Sequence, residues 1–483
     1  MKASVHLLSL GCAKNLVDSE VMLGVLLKAG HPIELKPEDA DVIIVNTCGF
    51  VKGARQESID AILEANQLRA ITPNQKLIVA GCMAQRYSKE LQKELPEVSA
   101  FIGINEVPRI HEIIETLDVV PSPKFKVQSS EFEVQNLGSH PSSSSAHETT
   151  NSKPETQNQK LFVSRKPTYL YDFATPRYQL TPPHYAYLKI GEGCNHPCAF
   201  CSIPIMRGHH RSRAIEDLEI EARTLVQRGV KELLLISQDT TYYGKDLGIA
   251  NGLSQLLIRL NAIEGDFWIR ILYTHPYHWN EYLMDTIATC TKVCRYIDIP
   301  LQHVDDAMLL RMRRETSRDH IERIVTRLRT VIPGITLRTT FIVGFPGETE
   351  SAFETLLDFV RQTRFERVGV FEYSQEEGTL AARMEEQIPA KIKKERRRHL
   401  MAIQQAISAE LMGSRVGKTL RILVEKNSKD AVGRTETDAP EIDGQVLLQG
   451  KGWKAGEFQQ AKIIGSTTYD LIACSEKNEV AQT

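Results

Sequence analysis

The chain has 483 residues, 42% of them apolar and 25% charged, which are the proportions of folded soluble protein spread over two or three domains. A formal charge of −2 argues against gripping nucleic acid by bulk electrostatics, and no apolar run approaches the length of a membrane span, so no membrane partner is expected. Nine cysteines are too few for a disulfide scaffold in so long a chain; reduced thiolates serving a metal in a cytoplasmic protein are the expectation.

The first hundred residues repeat one pattern three times: a short apolar strand, a cysteine just after it, then an amphipathic helical stretch. The strands are predicted at 5–10, 42–45 and 77–80, their loops carry Gly11-Cys12, Thr47-Cys48-Gly49 and Gly81-Cys82, and the helical patterns run from about Val17, Phe50 and Gln85. In a parallel α/β sheet, Cys12, Cys48 and Cys82 would all lie beyond the carboxyl ends of the strands, where such folds bind ligands. One buried cysteine is ordinarily packing, but three at equivalent points of successive units predict a three-thiolate cluster site.

From about residue 119 to 160 the periodicity fades. The stretch 140–158 is rich in Ser, Thr, Pro and Asn and too polar to bury a core, so a linker or inserted surface loop is expected over 119–180.

The most specific motif comes next. Cys194-Asn-His-Pro-Cys198-Ala-Phe-Cys201 places three thiols in one tight loop, one short of the four ligands of a closed structural zinc or iron–sulfur site. A zinc loop borrowing a distant histidine is the plain alternative, but no nearby C-x2-C or H-x3-H partner completes the set. Six strand–helix units follow, with strands at 185–190, 233–236, 268–273, 296–299, 336–343 and 368–372, predicting an incomplete (β/α) barrel over 181–412. Each of the first five strands ends in chemistry-bearing residues: the cysteine loop, Ser237-Gln238-Asp239, Tyr273-Thr274-His275, Gln302-His303, and Gly344-Phe345-Pro346-Gly347-Glu348. That end of a barrel carries the active site, although any one histidine there is more often structural.

Two basic groups, Arg207 to Arg213 and Arg311 to Arg314, either pair with local acids or together hold a carboxylate of a cofactor or an acidic substrate. The run Lys391 to Arg398 reads as a solvated helix face. Cys290 and Cys294, spaced i, i+4, have the spacing of one helix face, but two thiols alone make a poor cluster site; burial is expected for both and for Cys474. Beyond Gly413, short alternating strands at 419–424, 445–448 and 461–467 predict a small β-barrel over 413–476. Residues 413–483 hold ten basic and ten acidic side chains, without the basic excess of an RNA-gripping module.

These motifs carry a resemblance. The C-x3-C-x2-C loop is similar to that of radical S-adenosylmethionine enzymes, in which three thiolates leave one iron open for the cofactor. Together with Gly11-Cys12-Ala13-Lys14-Asn15, Asn46-Thr47-Cys48-Gly49-Phe50 and Gly81-Cys82 it resembles the methylthiotransferases over nearly the whole chain. Within them the segments Lys189 to His196, Tyr296 to His303 and Phe371 to Thr379 are most similar to the RimO type, which acts on an aspartate of ribosomal protein uS12. The Gln-Met and Pro-x-Gln-Ser-Gly-Ser stretches of the relatives that modify transfer RNA are absent.

The resemblance implies an N-terminal methylthiotransferase domain over 1–118, a radical barrel, and a TRAM-like C-terminal barrel. It implies two 4Fe–4S clusters, one on Cys194, Cys198 and Cys201 and one on Cys12, Cys48 and Cys82, with S-adenosylmethionine as the further cofactor. Phe200 is implied beside the adenine, and Gly344, Gly347 and Glu348 are candidates for cofactor contacts. The implied reaction removes hydrogen from the aspartate β-carbon and installs a methylthio group. Its partners would be uS12, free or in the small ribosomal subunit, an electron-donor protein and a sulfur donor. A transfer RNA substrate, or a non-enzymatic iron–sulfur protein, are the rival readings.

Overall fold

The structure, a computed structural model, describes residues 2–69, 72, 74–121, 159–428 and 430–475. The polar stretch 140–158 lies outside the described residues. The chain divides into two compact units, Met1–Pro182 with Ile205–Gly208, and Pro183–Pro204 with His209–Thr483.

In the first unit, β1 (Val5–Ser9), β2 (Val42–Thr47), β3 (Lys76–Gly81), β4 (Ala100–Ile102) and β5 (Lys160–Phe162) form a five-stranded sheet in sequential order, every pair parallel. The connections include α1 (Ala13–Lys28), α2 (Lys52–Leu68), α3 (Cys82–Glu94) and α4 (Ile110–Glu115). All six residues of β2 are buried, which is why its sequence opens with the continuous β-branched run Val42-Ile43-Ile44-Val45 rather than an alternation. The register sets Ser9 beside Asn46 and Asn46 beside Ala80. Cys48 and Cys82 therefore each lie two residues past one level of the sheet and Cys12 three. Helices α1 and α3 begin earlier than their apolar period suggests. The first turn of α1 is built from polar residues turned inward, with Asn15 Nδ2 donating to the Leu10 carbonyl at 2.6 Å.

Part of the stretch expected as linker folds with this unit. Lys160–Phe162 is the edge strand β5, and Glu20 of α1, fully buried, accepts from the Arg177 side chain at 2.6 Å and from the Leu180 N–H at 2.7 Å. A three-residue edge strand leaves too short a pattern to stand out from a polar neighbourhood.

The second unit opens with β6 (Tyr185–Lys189), the short β7 (Gly191–Glu192), α5 (Ile203–Arg207, whose last turn belongs to the first unit) and β8 (Arg211–Ser212). There follow α6 (Ile215–Gln227), β9 (Glu232–Ile236), α7 (Gly252–Asn261), β10 (Trp268–Ile271), α8 (Glu281–Thr289) and β11 (Val293–Asp298). The barrel is completed by α9 (Asp306–Arg311), α10 (Arg318–Val331), β12 (Thr336–Val343), α11 (Glu350–Thr363) and β13 (Arg367–Glu372). The six long strands lie in the order β13-β12-β11-β10-β9-β6, all parallel. Among the described residues β6 and β13 do not pair, so the barrel stays open, as the strand count implied. Its core is mostly aliphatic with aromatic rings among it, Leu188, Leu233, Leu235, Ile269, Ile297 and Phe341 all standing at 0% exposure.

The long helix α12 (Ala390–Gly413) leads to β14 (Thr419–Lys426), β15 (Val432–Thr435), β16 (Val446–Gln449), β17 (Phe458–Ser466) and β18 (Leu471–Ser475), a closed five-stranded barrel. It is joined to the amino ends of the parallel strands. Tyr185 Oη donates to Glu441 at 2.9 Å, Tyr296 Oη to Asp443 at 2.7 Å, and Arg367 Nη2 to Asp438 at 2.5 Å. Several charges of this barrel are thus spent inside the unit. Cys290 and Cys294 are buried as expected but share no helix, because α8 ends at Thr289 and Cys294 belongs to β11. Cys474, on β18, is only half-buried, against expectation, since it lies near the end of a strand of a small barrel.

Candidate functional site

The first unit gathers its three expected thiols at one end of the sheet. Cys12 caps the amino end of α1 and Cys82 is the first residue of α3, so each stands at the positive pole of a helix, which suits a site that gathers negative charge. Gly11, with φ +91°, lets the chain pass hard against Cys48: a Cβ there would lie 2.7 Å from the Cys48 Cβ and 3.2 Å from its Sγ. Burial pushes the Cys82 thiol up to about 12, opposed by the Arg207 guanidinium; burial likewise raises Cys48. Soft donors held together without a metal resist ionising, and a metal that takes up their charge relieves that cost. The donor set and the close backbone therefore fit an iron–sulfur cluster. Arg207, from the short segment that folds with this unit, is 1% exposed. Its Nε lies 3.2 Å from Cys82 Sγ, and its Nη2 reaches Asp18 Oδ2 at 2.9 Å and Asn15 Oδ1 at 3.3 Å.

The second unit holds the C-x3-C-x2-C loop past the end of β6. Burial pushes the Cys194 thiol up to about 12 and raises Cys201 further. The Ile203 N–H donates to Cys201 Sγ at 3.5 Å, and Nη1 of Arg314, 4% exposed, donates to Cys198 Sγ at 3.5 Å. Beneath the loop, Lys189 Nζ and Gln238 Nε2 donate to the two oxygens of buried Glu192 at 2.9 and 2.6 Å.

His196, inside the loop, is gripped on both sides, its Nε2 2.7 Å from Asp239 Oδ2 and its Nδ1 2.7 Å from Glu315 Oε2, with His275 stacked on its face at 3.7 Å and 8°. Burial, with Arg314 nearby, drives the His275 pKa far below its usual value, so that ring is neutral. Ligand-type atoms of His196, Asp239 and His278 lie within 4.8 Å of one another. Both nitrogens of His196 already meet carboxylates and Nδ1 of His278 faces Lys245 Nζ at 2.5 Å, so the group is a hydrogen-bonded clamp on the loop rather than a metal cage. Tyr273 and Gln302, at the carboxyl ends of β10 and β11, take φ values of +60° and +73°, the non-glycine left-handed conformation that concentrates at functional sites.

The candidate cofactor residues come from the loop itself and from the turn after β12. Phe200 is half-buried and meets Phe345 edge-on at 6.5 Å. Gly344 and Gly347, at φ +71° and +80°, make the turn after β12. Glu348 is fully engaged inside the protein: it accepts from the Gly344 N–H at 2.5 Å, lies 3.2 Å from His303 Nε2, and pairs with Arg396 at 2.6 Å. Its carboxylate braces the turn. Of the two basic groups, Arg213 pairs with Asp217 and Glu221 at 2.6 Å each and Arg311 with Glu386 at 2.8 Å. Their commonplace reading holds, whereas Arg207 and Arg314 are aimed at sulfur.

Asn15, Asp18 and Glu315 have no role assigned from the sequence, although Asn15 stands in the motif around Cys12. Asn15 and Asp18 follow Cys12 at helical spacing on the buried face of α1, and polar residues on that face were the available signal; Glu315, in a loop, had none.

An open barrel of six parallel strands carrying a three-thiol loop at its carboxyl end defines a radical S-adenosylmethionine enzyme, here with a second thiol triad in a domain of its own. Family models agree along the chain: Uncharacterized protein family UPF0004 at residues 4–103, the Radical SAM superfamily at 188–360 and a TRAM domain at 416–474. The chain is 48% identical to the ribosomal protein uS12 methylthiotransferase RimO of Opitutus terrae, over 99% of this chain and 98% of that one. It is 44% identical to the RimO of Akkermansia muciniphila over 98% and 100%. Among solved structures, the cobalamin-dependent S-adenosylmethionine radical enzyme OxsB superposes with a TM-score of 0.50 at 12% identity, over 84% of this chain and 56% of that one, a likeness of fold. The chain belongs to the RimO family of ribosomal protein uS12 methylthiotransferases.

Proposed function

We propose that this protein inserts a methylthio group at the β-carbon of an aspartate of uS12. The observation that carries this reading is the presence of two separate thiol triads, one gathered from the ends of three parallel strands and one on a single loop, in a chain of this family. Cys194, Cys198 and Cys201 would hold one 4Fe–4S cluster and Cys12, Cys48 and Cys82 the other; three thiolates apiece leave one iron of each without a protein ligand. When bound, the clusters and S-adenosylmethionine supply what no side chain here has: one-electron chemistry able to remove hydrogen from an unactivated C–H bond, and a sulfur and a methyl group to replace it.

The protein's own residues orient and shield. The Asp239–His196–Glu315 clamp and the His275 ring fix the cysteine loop. Phe200 and the Gly344–Gly347 turn would line the cofactor, with Glu348 and Arg396 holding the turn in place. The proposed division is 1–118, 181–412 and 413–476, with 119–180 between the first two and its described end, from residue 159 onward, packed on the first unit. The neutral charge of residues 413–483 supports a protein substrate over transfer RNA. Among the described residues no helix is long and apolar enough to cross a membrane, and we place the protein in the cytoplasm with uS12, free or ribosome-bound, an electron-donor protein and a sulfur donor as partners.

The test is anaerobic incubation of the reconstituted, reduced protein with S-adenosylmethionine, sulfide and a peptide spanning the uS12 aspartate loop, read by mass spectrometry. Modified aspartate with 5′-deoxyadenosine formed is the expected result. Cofactor cleavage with neither peptide nor intact uS12 modified, but with transfer RNA modified, overturns the substrate assignment.

A further inference from the structure

We propose that Arg207 and Arg314 are tuning residues, each donating a hydrogen bond to one sulfur of one thiol triad and thereby raising the reduction potential of the cluster held there. This rests on the ligand assignment above. The two arginines come from the two basic groups along the chain, and in each group one member turns to a cysteine sulfur. Arg207 directs Nε at Cys82 Sγ, 3.2 Å away, while the far end of its fork is held by Asp18 at 2.9 Å and Asn15 at 3.3 Å. Arg314 directs Nη1 at Cys198 Sγ, 3.5 Å away, while Nη2 is held by the Pro300 carbonyl. Both side chains are nearly without solvent contact, at 1% and 4% exposure, so each charge acts on its sulfur with little screening.

The direction follows from charge. Adding one electron makes a cluster and its thiolates more negative, so a fixed guanidinium bonded to one sulfur stabilises the reduced form more than the oxidised one. Asp18 opposes this at the first site, and removing Arg207 while Asp18 remains therefore reverses the local field. The guanidinium is chosen over an ammonium because its rigid fork spends one edge on the anchors and one donor on the sulfur.

The test uses the full chain, reconstituted anaerobically and titrated with dithionite as the one-electron reductant, each cluster being followed by its own electron paramagnetic resonance signal. Iron and sulfide are measured in parallel. The triple variant C12A/C48A/C82A assigns the signals by losing roughly half the iron; if it keeps the wild-type iron content, the ligand assignment fails and not the tuning. Arg207→Gln is expected to lower the midpoint of the signal from the cluster on Cys12, Cys48 and Cys82, the auxiliary cluster, only, Arg314→Gln that of the other signal only, and Arg207→Lys to restore part of the shift. Asp18→Asn, with Arg207 in place, is expected to raise the auxiliary midpoint, and it decides the matter should Arg207→Gln fail to load its cluster. Loaded Arg207→Gln protein with an unchanged auxiliary midpoint, or an Asp18→Asn protein with none of the expected rise, overturns the proposal and leaves Arg207 as a plain ion-pair partner of Asp18.

Discussion

Glu232, the first residue of β9, and Arg434, on β15 of the closed barrel, meet at 2.6 Å with side chains 0% and 2% exposed. Arg270 closes on the other oxygen of Glu232 at 2.6 Å, and Arg434 also holds Glu425 at 2.7 Å. This buried chain of charges joins the C-terminal barrel to the amino ends of the parallel strands, away from the end that bears the cysteine loop. Glu232→Gln keeps the shape but takes from Arg270 its paired carboxylate and leaves Arg434 with Glu425 alone. Breaking a buried pair in this way costs about 3–5 kcal/mol. Urea unfolding of the whole chain should show that loss, with the barrel strands and residues 413–475 coming apart in one transition.

The same network predicts acid sensitivity. Burial works to raise the Glu425 pKa, but the His184 hydrogen bond and Arg434 outweigh it and bring it down to about 2, against 4.5 for the free side chain. A carboxylate depressed in the folded state contributes stability that is complete above the unfolded value and is lost as pH falls through the folded one. Glu232 and Asp438 are depressed in the same sense, through Arg270 and Arg434 and through Arg367. Thermal unfolding temperatures measured at fixed ionic strength should hold near pH 6 and drop steadily from about pH 4.5 downward, and the Glu425→Gln variant should show a shallower slope.

His196→Ala removes the ring that spans Asp239 and Glu315 and leaves Asp239, 2% exposed, without that partner. The expected outcome is a several-fold loss of the cluster on the Cys194 loop, with the iron attributable to Cys12, Cys48 and Cys82 retained. Iron analysis of the variant beside C12A/C48A/C82A separates the two. Equal loss from both triads would mean that His196 serves general stability.

Gly11→Ala forces an alanine into φ +91° and sets its Cβ 2.7 Å from that of Cys48. The strain alone costs about 1–2 kcal/mol, and the displaced Cys48 should lower auxiliary cluster content. The measurement is sulfide content after reconstitution, with the Cys194-loop cluster as internal reference.

Cys48→Ala and Cys198→Ala should separate the two halves of the reaction. The first is expected to cleave S-adenosylmethionine to 5′-deoxyadenosine and yield no methylthiolated uS12; the second is expected to do neither. Both products are read by mass spectrometry from one incubation, and methylthiolated uS12 from the Cys48→Ala enzyme would take the auxiliary triad out of the mechanism.

The strand–cysteine–helix repeats and the C-x3-C-x2-C loop were readable because each is local. A β-branched run such as Val42-Ile43-Ile44-Val45, bounded by Asn46 and followed by a cysteine, announces a buried parallel strand and the loop at its end without reference to anything distant. The barrel strands were legible for the same reason, and each appears within a few residues of its expected place. Strand β5 was not, and neither was the placing of Cys290 and Cys294 outside a helix, since three residues carry too little period and an i, i+4 spacing is blind to a helix that ends at Thr289, before either cysteine.

What the amino-acid order determined by itself is therefore the list of thiols, the architecture that presents them, and the family resemblance they carry. Tertiary structure alone decided which charges serve them. Arg207 and Arg213 stand six positions apart in one basic run, yet one turns to Cys82 and Asp18 and the other to Asp217 and Glu221. The choice depends on buried partners as far as 189 residues away in sequence, as Asp18 is from Arg207. A guanidinium taken out of water must find a counter-charge in whatever the fold brings within reach, and that is a property of packing, which no local pattern records.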